Sequence, residues 1–148
     1  MKLVKYPNNH LAQKCEEVKD FKQLDTIVQR MLAVCKNKKR PGVGLAAPQI
    51  GKNIRLMLMW YNKKLRVFVN PELRAVSVDE SIGKESCLSF SKVVSYPIGR
   101  SSQIVLKWQN LTGEEKEDTF EGYEARIIQH ELDHLNGITM FDRWEMQK

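Results

Sequence analysis

The segment Gln129-His130-Glu131-Leu132-Asp133-His134 decides how this 148-residue chain is read. It holds two of the three histidines in the sequence, spaced four apart. On an α-helix, side chains at i and i+4 stand on successive turns of one face, with Cβ atoms about 5–6 Å apart. Two imidazoles placed so can converge on one divalent ion. Glu131, directly after the first, can stand beside that ion and near a bound water without ligating it. The flanking sequence supports a helix from Tyr123 to Leu135: Ala125, Ile128, Leu132 and Leu135 share a face, and Gly137 supplies a stop. A surface helix with two chance histidines is the weaker alternative, because histidine is scarce here and apolar residues flank both.

Catalytic metal sites commonly use three protein ligands and leave a position for water. Fourteen residues follow His134, none of them histidine, and the lone glutamate among them, Glu145, sits near the chain end. The third ligand is therefore expected upstream. Cys87, in Glu85-Ser86-Cys87-Leu88-Ser89, is the best candidate, since a thiolate binds iron or zinc strongly. The alternative is a small buried residue, the usual fate of a lone cysteine. A third segment, Gly42-Val43-Gly44-Leu45-Ala46-Ala47-Pro48-Gln49, has glycines and alanines that let a backbone approach something closely, and it ends on an amide donor. By itself it reads as a tight structural turn, too glycine-rich for a helix and too small-residued for an ordinary strand.

Further outward, Asp20 to Lys38 reads as an amphipathic helix with its stripe on Leu24, Ile27, Val28, Met31, Leu32 and Cys35. Asp20 is its expected N-cap, with Gln23 completing a capping box, and Pro41 and Gly42 end it. Ile54 to Tyr61 and Leu65 to Asn70 read as strands joined at Asn62, Lys63 and Lys64, and Leu73 to Val78 as a further short strand. Ile104 to Trp108 and Glu115 to Phe120 read as a hairpin closed by Asn110-Leu111-Thr112-Gly113. No repeat or linker appears, so one domain over residues 1–148 is expected. Its class is α+β: small mixed or antiparallel sheets around a C-terminal HExxH helix, with an N-terminal amphipathic helix.

Composition narrows the class. With 42% hydrophobic and 28% charged residues, the chain is neither collagen-like nor disordered. No apolar run is long enough to span a membrane, and Met1 to Cys15 lacks the h-region of a secretory signal. Three cysteines, Cys15, Cys35 and Cys87, with no CxxC, fit a reducing cytoplasm and no disulfide framework. The net charge of +6 favours steering toward anionic surfaces but does not make a specific nucleic-acid binder. The cluster Lys36, Lys38, Lys39 and Arg40 reads as a solvated helix end.

Taken in order, the three motif segments closely resemble the peptide deformylase family, whose motifs are a GxGxAAxQ loop, an EGCLS strand and a QHExDH helix. The resemblance is to a short form without a C-terminal extension. It departs at Ser86, where the family has glycine, and over residues 90–100. It implies one metal held by Cys87, His130 and His134, typically ferrous iron, with zinc, nickel or cobalt able to substitute. It implies as substrate the N-formyl group on the initiator methionine of nascent polypeptides, released as formate. Glu131 is then the proton carrier, and the Gln49 side chain and Leu88 backbone N–H stabilise charge on the formyl oxygen. Val43, Leu88 and Ile127 are expected walls of a methionine pocket, and Gly44 a backbone partner for the extended peptide. Asp133 either holds a ligand histidine or caps local structure. A monomer is expected, and the resemblance implies transient ribosome association. Competing expectations are a related metallo-amidohydrolase acting on another formyl or acyl amide, and a structural zinc site in a binding module.

Overall fold

The computed structural model describes residues 3–148; Met1 and Lys2, which open the Met1–Cys15 stretch discussed above, lie outside the described residues. Among the described residues, seven strands and three α-helices follow in the order α1 (Leu24–Cys35), β1 (Gly44–Ala46), β2 (Leu56–Tyr61), β3 (Lys64–Val76), β4 (Glu80–Glu85), β5 (Tyr96–Ser101), β6 (Gln103–Gln109), β7 (Glu115–Glu121), α2 (Gly122–Leu135) and α3 (Met140–Met146). Strands β1-β2-β3-β6-β7 form one sheet in that spatial order and β4-β5 a second, and every ladder is antiparallel. The expected α+β class, with antiparallel sheets around a C-terminal HExxH helix, is what forms.

The period of two along β2 builds the layers. Met57 and Met59 point into a cluster with Phe68, Ile104, Leu106 and Phe120 of the sheet and Ala125, Ile128, Leu132 and Leu135 of α2. Leu56 and Leu58 point the other way, to Leu24, Val28, Met31 and Cys35 of α1. The sheet is thus covered by a helix on each face, and Leu-Met-Leu-Met reads as one apolar run because both faces are buried. A third cluster, Cys87, Phe90, Ile98 and Met140 with Tyr96, Phe141 and Trp144 against it, fastens β4-β5 and α3 beside α2.

Several expected boundaries move. Helix α1 begins at Leu24 and ends at Cys35, short of the expected Asp20 to Lys38. Asp20 is not its cap: its carboxylate accepts from the Lys22 backbone N–H at 3.0 Å, a local turn that competes with helix entry. Gln23 occupies the N-cap without a side-chain bond. The two expected strands 65–70 and 73–78 are one strand, β3, bent at its middle. Asn70 sits there at φ +49°. Its side chain accepts from the Val18 N–H at 2.7 Å and donates to the Val18 carbonyl at 2.9 Å and to Gln109 at 2.8 Å, so pairing continues through the kink. The Gly42–Gln49 segment contains the edge strand β1 and then a 3-10 turn, Ala47–Ile50, rather than a plain loop. Strands β4 and β5 and helix α3 carried no clear periodic signal.

Phe68 is 1% exposed and meets Trp108 and Phe120 edge-on, with ring centroids 5.0 and 5.9 Å away. Phe68→Ala is expected to cost about 3–5 kcal/mol, read as a lowered denaturation midpoint in urea; a loss under about 1 kcal/mol would place the core elsewhere.

Candidate metal centre

Helix α2 delivers the histidine pair as its spacing requires. The His130 and His134 rings lie 5.2 Å apart between centroids. Cys87 follows β4 and reaches them from the opposite side, its Sγ 3.4 Å from His134 Nε2. One ligand atom from each of the three lies within 4.8 Å of the others, and all three residues are buried. The donor set fits a single divalent cation: one soft thiol, two imidazoles, and separations in keeping with bonds of roughly 2.0–2.3 Å. Three ligands leave a coordination position open, whereas structural zinc sites normally close with four.

The charge pattern supports the same reading. Burial opposes ionisation of Cys87, yet the imidazoles of His134 and His130 outweigh it and hold the thiol well below its ordinary range. Glu131 is 5% exposed, and burial pushes its carboxyl up to about 7 although both histidines pull it down. Its Oε2 lies 4.0 Å from His130 Nε2, while its Oε1 is buried with no partner among the described residues. That is a carboxylate beside the ligands and outside their set.

What holds His130 is Glu85, the last residue of β4. Its Oε1 lies 2.8 Å from His130 Nδ1, which leaves Nε2 for the metal side. Arg100 of β5 grips the same carboxylate through Nε and Nη2, at 2.9 and 2.8 Å, and Arg126 of α2 donates to it at 2.8 Å. Burial would raise the Glu85 pKa, but the bonds from Arg100 and His130 hold it well below the usual carboxylate range. Asp133 does neither of the two jobs expected of it. It accepts from Arg100 Nη1 at 2.6 Å and from Arg143 of α3 at 2.6 and 3.0 Å, extending the network to a third element. Sequence reasoning missed Glu85, Arg100 and Arg126 as site residues. The signals that existed were the place of Glu85 two before Cys87 and of Arg126 one turn before His130.

A cavity of about 350 Å³ opens on this centre. Val43, Gly44, Gln49, Cys87, Leu88, Ile127, His130 and Glu131 line it together, and His134 lies beneath, fully buried. The Gln49 amide accepts from the Ala46 N–H at 3.0 Å and donates to Ser89 Oγ at 3.0 Å, with its Nε2 3.5 Å from Cys87 Sγ. The small residues of the 42–49 segment are needed sterically. A Cβ on Gly44 would stand 2.8 Å from Glu131 Oε2 and 2.9 Å from Ile127, and one on Gly42 would stand 2.6 Å from Leu88. Ser86 is exposed on the cavity wall and lacks the positive φ that would demand glycine, so the departure adds a hydroxyl without straining the chain. Arg40 also differs from expectation. It lies past the end of α1 and donates to the carbonyls of Cys87, at 2.9 Å, and of Phe90, tying the cysteine loop to the helix side of the cleft.

An antiparallel α+β scaffold, a thiol meeting an HExxH histidine pair, and a buried carboxylate beside them define a protein built around a candidate metal centre. The family model "Polypeptide deformylase" matches residues 1–148, and the chain belongs to that family. Peptide deformylase of Borreliella burgdorferi is 34% identical over 148 residues, covering 98% of this chain and 88% of that protein. Peptide deformylase of Thermotoga maritima is 43% identical over 102 residues, 69% of this chain; the matched stretch spans only 62% of that relative's length. The crystal structure of peptide deformylase from Thermotoga maritima superposes with a TM-score of 0.90 at 35% identity, over 96% of this chain and 95% of that one.

The three thiols should separate by position. Burial pushes Cys15 up to about 11 and Cys35 up to about 12, and both sit in apolar clusters. Metal-stripped native protein is expected to expose one reactive thiol, Cys87, with the other two reacting only after denaturation. Titration with a chromogenic disulfide checks this; three fast thiols in the native state would contradict it.

Proposed function

We propose that this chain removes the N-formyl group from the initiator methionine of newly made polypeptides by metal-dependent hydrolysis. The amide C–N bond breaks, a water supplies the hydroxyl and the proton, and the products are formate and a free amino terminus. The observation that carries this reading is the convergence of Cys87, His130 and His134 on one point, with the unpartnered Oε1 of Glu131 beside them. Bound there, a divalent cation would supply Lewis acidity toward the carbonyl and a water-derived nucleophile near neutral pH.

The remaining work falls to side chains of this chain. Glu131 accepts the proton of the attacking water and returns it to the departing amine. Gln49 Nε2 and the Leu88 backbone N–H donate to the oxygen on which charge develops; one such donor is typically worth about 2.7–4 kcal/mol of barrier. Val43, Leu88 and Ile127 wall the methionine side chain, and the Gly44 backbone pairs with the extended peptide as an added strand. Ferrous iron is the proposed resident ion, with zinc, nickel or cobalt as working substitutes. The setting we infer is the cytoplasm, with one catalytic domain over residues 1–148 acting as a monomer, in passing contact with the ribosome where its substrates emerge. No described helix is long and apolar enough to cross a membrane.

Turnover of formyl-Met-Ala-Ser against acetyl-Met-Ala-Ser tests the reaction. The formyl peptide is expected to be strongly preferred, and equal rates would favour a different acyl amide. Glu131→Ala is expected to retain metal in elemental analysis while formate release falls at least about 100-fold, in line with a lost proton carrier; a near-normal rate would remove Glu131 from that role. Gly44→Ala places its Cβ against Glu131 and Ile127, so it is expected to lower kcat with little change in unfolding midpoint.

A further inference from the structure

The charges of this chain are divided between its two halves. Residues 1–70 carry 15 Lys and Arg against 4 Asp and Glu, whereas residues 71–148 carry 9 against 14. Among the described residues every ion pair joins positions within 72–148. The cationic half therefore meets solvent without carboxylate partners.

Cations from both halves stand at the mouth of the cavity. Arg40 lines it, and the carbonyls of Cys87 and Phe90 that hold its guanidinium fix the charge without neutralising it. Lys84 lines the other wall, exposed and unpaired among the described residues. Next to Arg40 in sequence, Lys38 and Lys39 are exposed, on a loop that Asn37 shapes by accepting from the Lys39 and Arg40 N–H groups at 2.9 and 3.2 Å. The two acidic residues of the cavity offset little of this. Glu85 is already shared by Arg100, Arg126 and His130, and Glu131 is buried beside the ligands. A cleft with one sign of charge at its rim raises the local concentration of the opposite sign.

We propose that Arg40, Lys84 and the Lys38–Lys39 pair make a cationic rim that selects formyl peptides bearing acidic side chains a few residues after the methionine. The proposal rests on the deformylase reading and adds a substrate preference to it. The catalytic end of the cavity handles the formyl-methionine, which is the same in every substrate. The rim meets the variable part of the chain as it leaves, where carboxylates would find the fixed Arg40 guanidinium and the exposed ammonium groups of Lys84, Lys38 and Lys39.

Three peptides of equal length test this: formyl-Met-Ala-Ser followed by three glutamates, three serines or three lysines. At low ionic strength the Glu peptide is expected to exceed the Lys peptide in kcat/KM by roughly tenfold or more, mainly through KM. The ratio should shrink toward one at about 0.5 M salt, where screening is short-ranged. K84E and the double variant K38E/K39E should each lower the Glu-to-Lys ratio, a comparison made within one enzyme and so insensitive to its overall activity. A wild-type ratio near one, or a ratio unmoved by both variants, overturns the proposal. So does unmoved peptide preference together with variant-sensitive binding of a single-stranded RNA oligomer, which would assign the rim to another polyanion. If the serine peptide is not turned over, the deformylase reading fails instead. Fluorescence anisotropy of labelled peptides then still reads the rim: tighter Glu binding, lost in the variants, supports it, and equal binding refutes it.

Discussion

The carboxylate of Glu85 is the point on which the site hangs. It is buried, and three cationic or proton-donating groups from two other elements close on it: Arg100 from β5, Arg126 and His130 from α2. An ion removed from water is costly unless its partners are well placed, and deleting one member of a buried pair typically costs about 3–5 kcal/mol. The same bonds fix the rotation of the His130 ring and the approach of β4 to α2. Since Cys87 follows Glu85 by two residues, whatever fixes the end of β4 also fixes where the sulfur can stand. Asp133 continues the pattern outward by joining Arg100 to Arg143, so α3 braces the second sheet against α2.

The apolar layers serve this polar knot. Helix α2 is buried along Ala125, Ile128, Leu132 and Leu135 on its sheet side, which turns His130 and Glu131 toward the cavity. On the far face of the sheet, α1 packs on Leu56 and Leu58, and β1 and Gln49 follow it directly. The glycines of that segment then let the chain pass within contact distance of Leu88 and Glu131. The site is assembled from three stretches far apart in sequence, each pinned by a different part of the core.

How much of this was legible follows from the range of the physics involved. The His130, Glu131 and His134 arrangement is a local consequence of helix geometry, so four residues of spacing suffice to read it. Cys87 was legible as the best upstream candidate, because no histidine follows His134 and a thiolate is a strong ligand, and the family resemblance implied the full set. Helix ends were less so, because Asp20 can bond either the helix or its own turn, and only packing around Phe21 and Leu24 decides. The joining of two short strands into β3 needed the Asn70 side chain to meet Val18, 52 residues away. Arg100 and Arg126 as supports for Glu85 likewise depend on the register that sets Glu85 opposite Tyr96 and Ser81 opposite Arg100. No local pattern encodes that register.

Ser86 illustrates how tolerance and constraint divide along one segment. Its neighbours on either side, Glu85 and Cys87, are buried and committed to polar partners, so neither can change without leaving a charge or a ligand unmatched. Ser86 itself faces outward at an ordinary backbone conformation. Glycine would be required there only by a left-handed backbone or by a close neighbour. With neither demand present, a hydroxyl can stand where the family motif has glycine, and Glu85 and Cys87 keep their places. Alternation along an extended chain thus sets a tolerant, outward-facing position between two buried residues that are tied to polar partners.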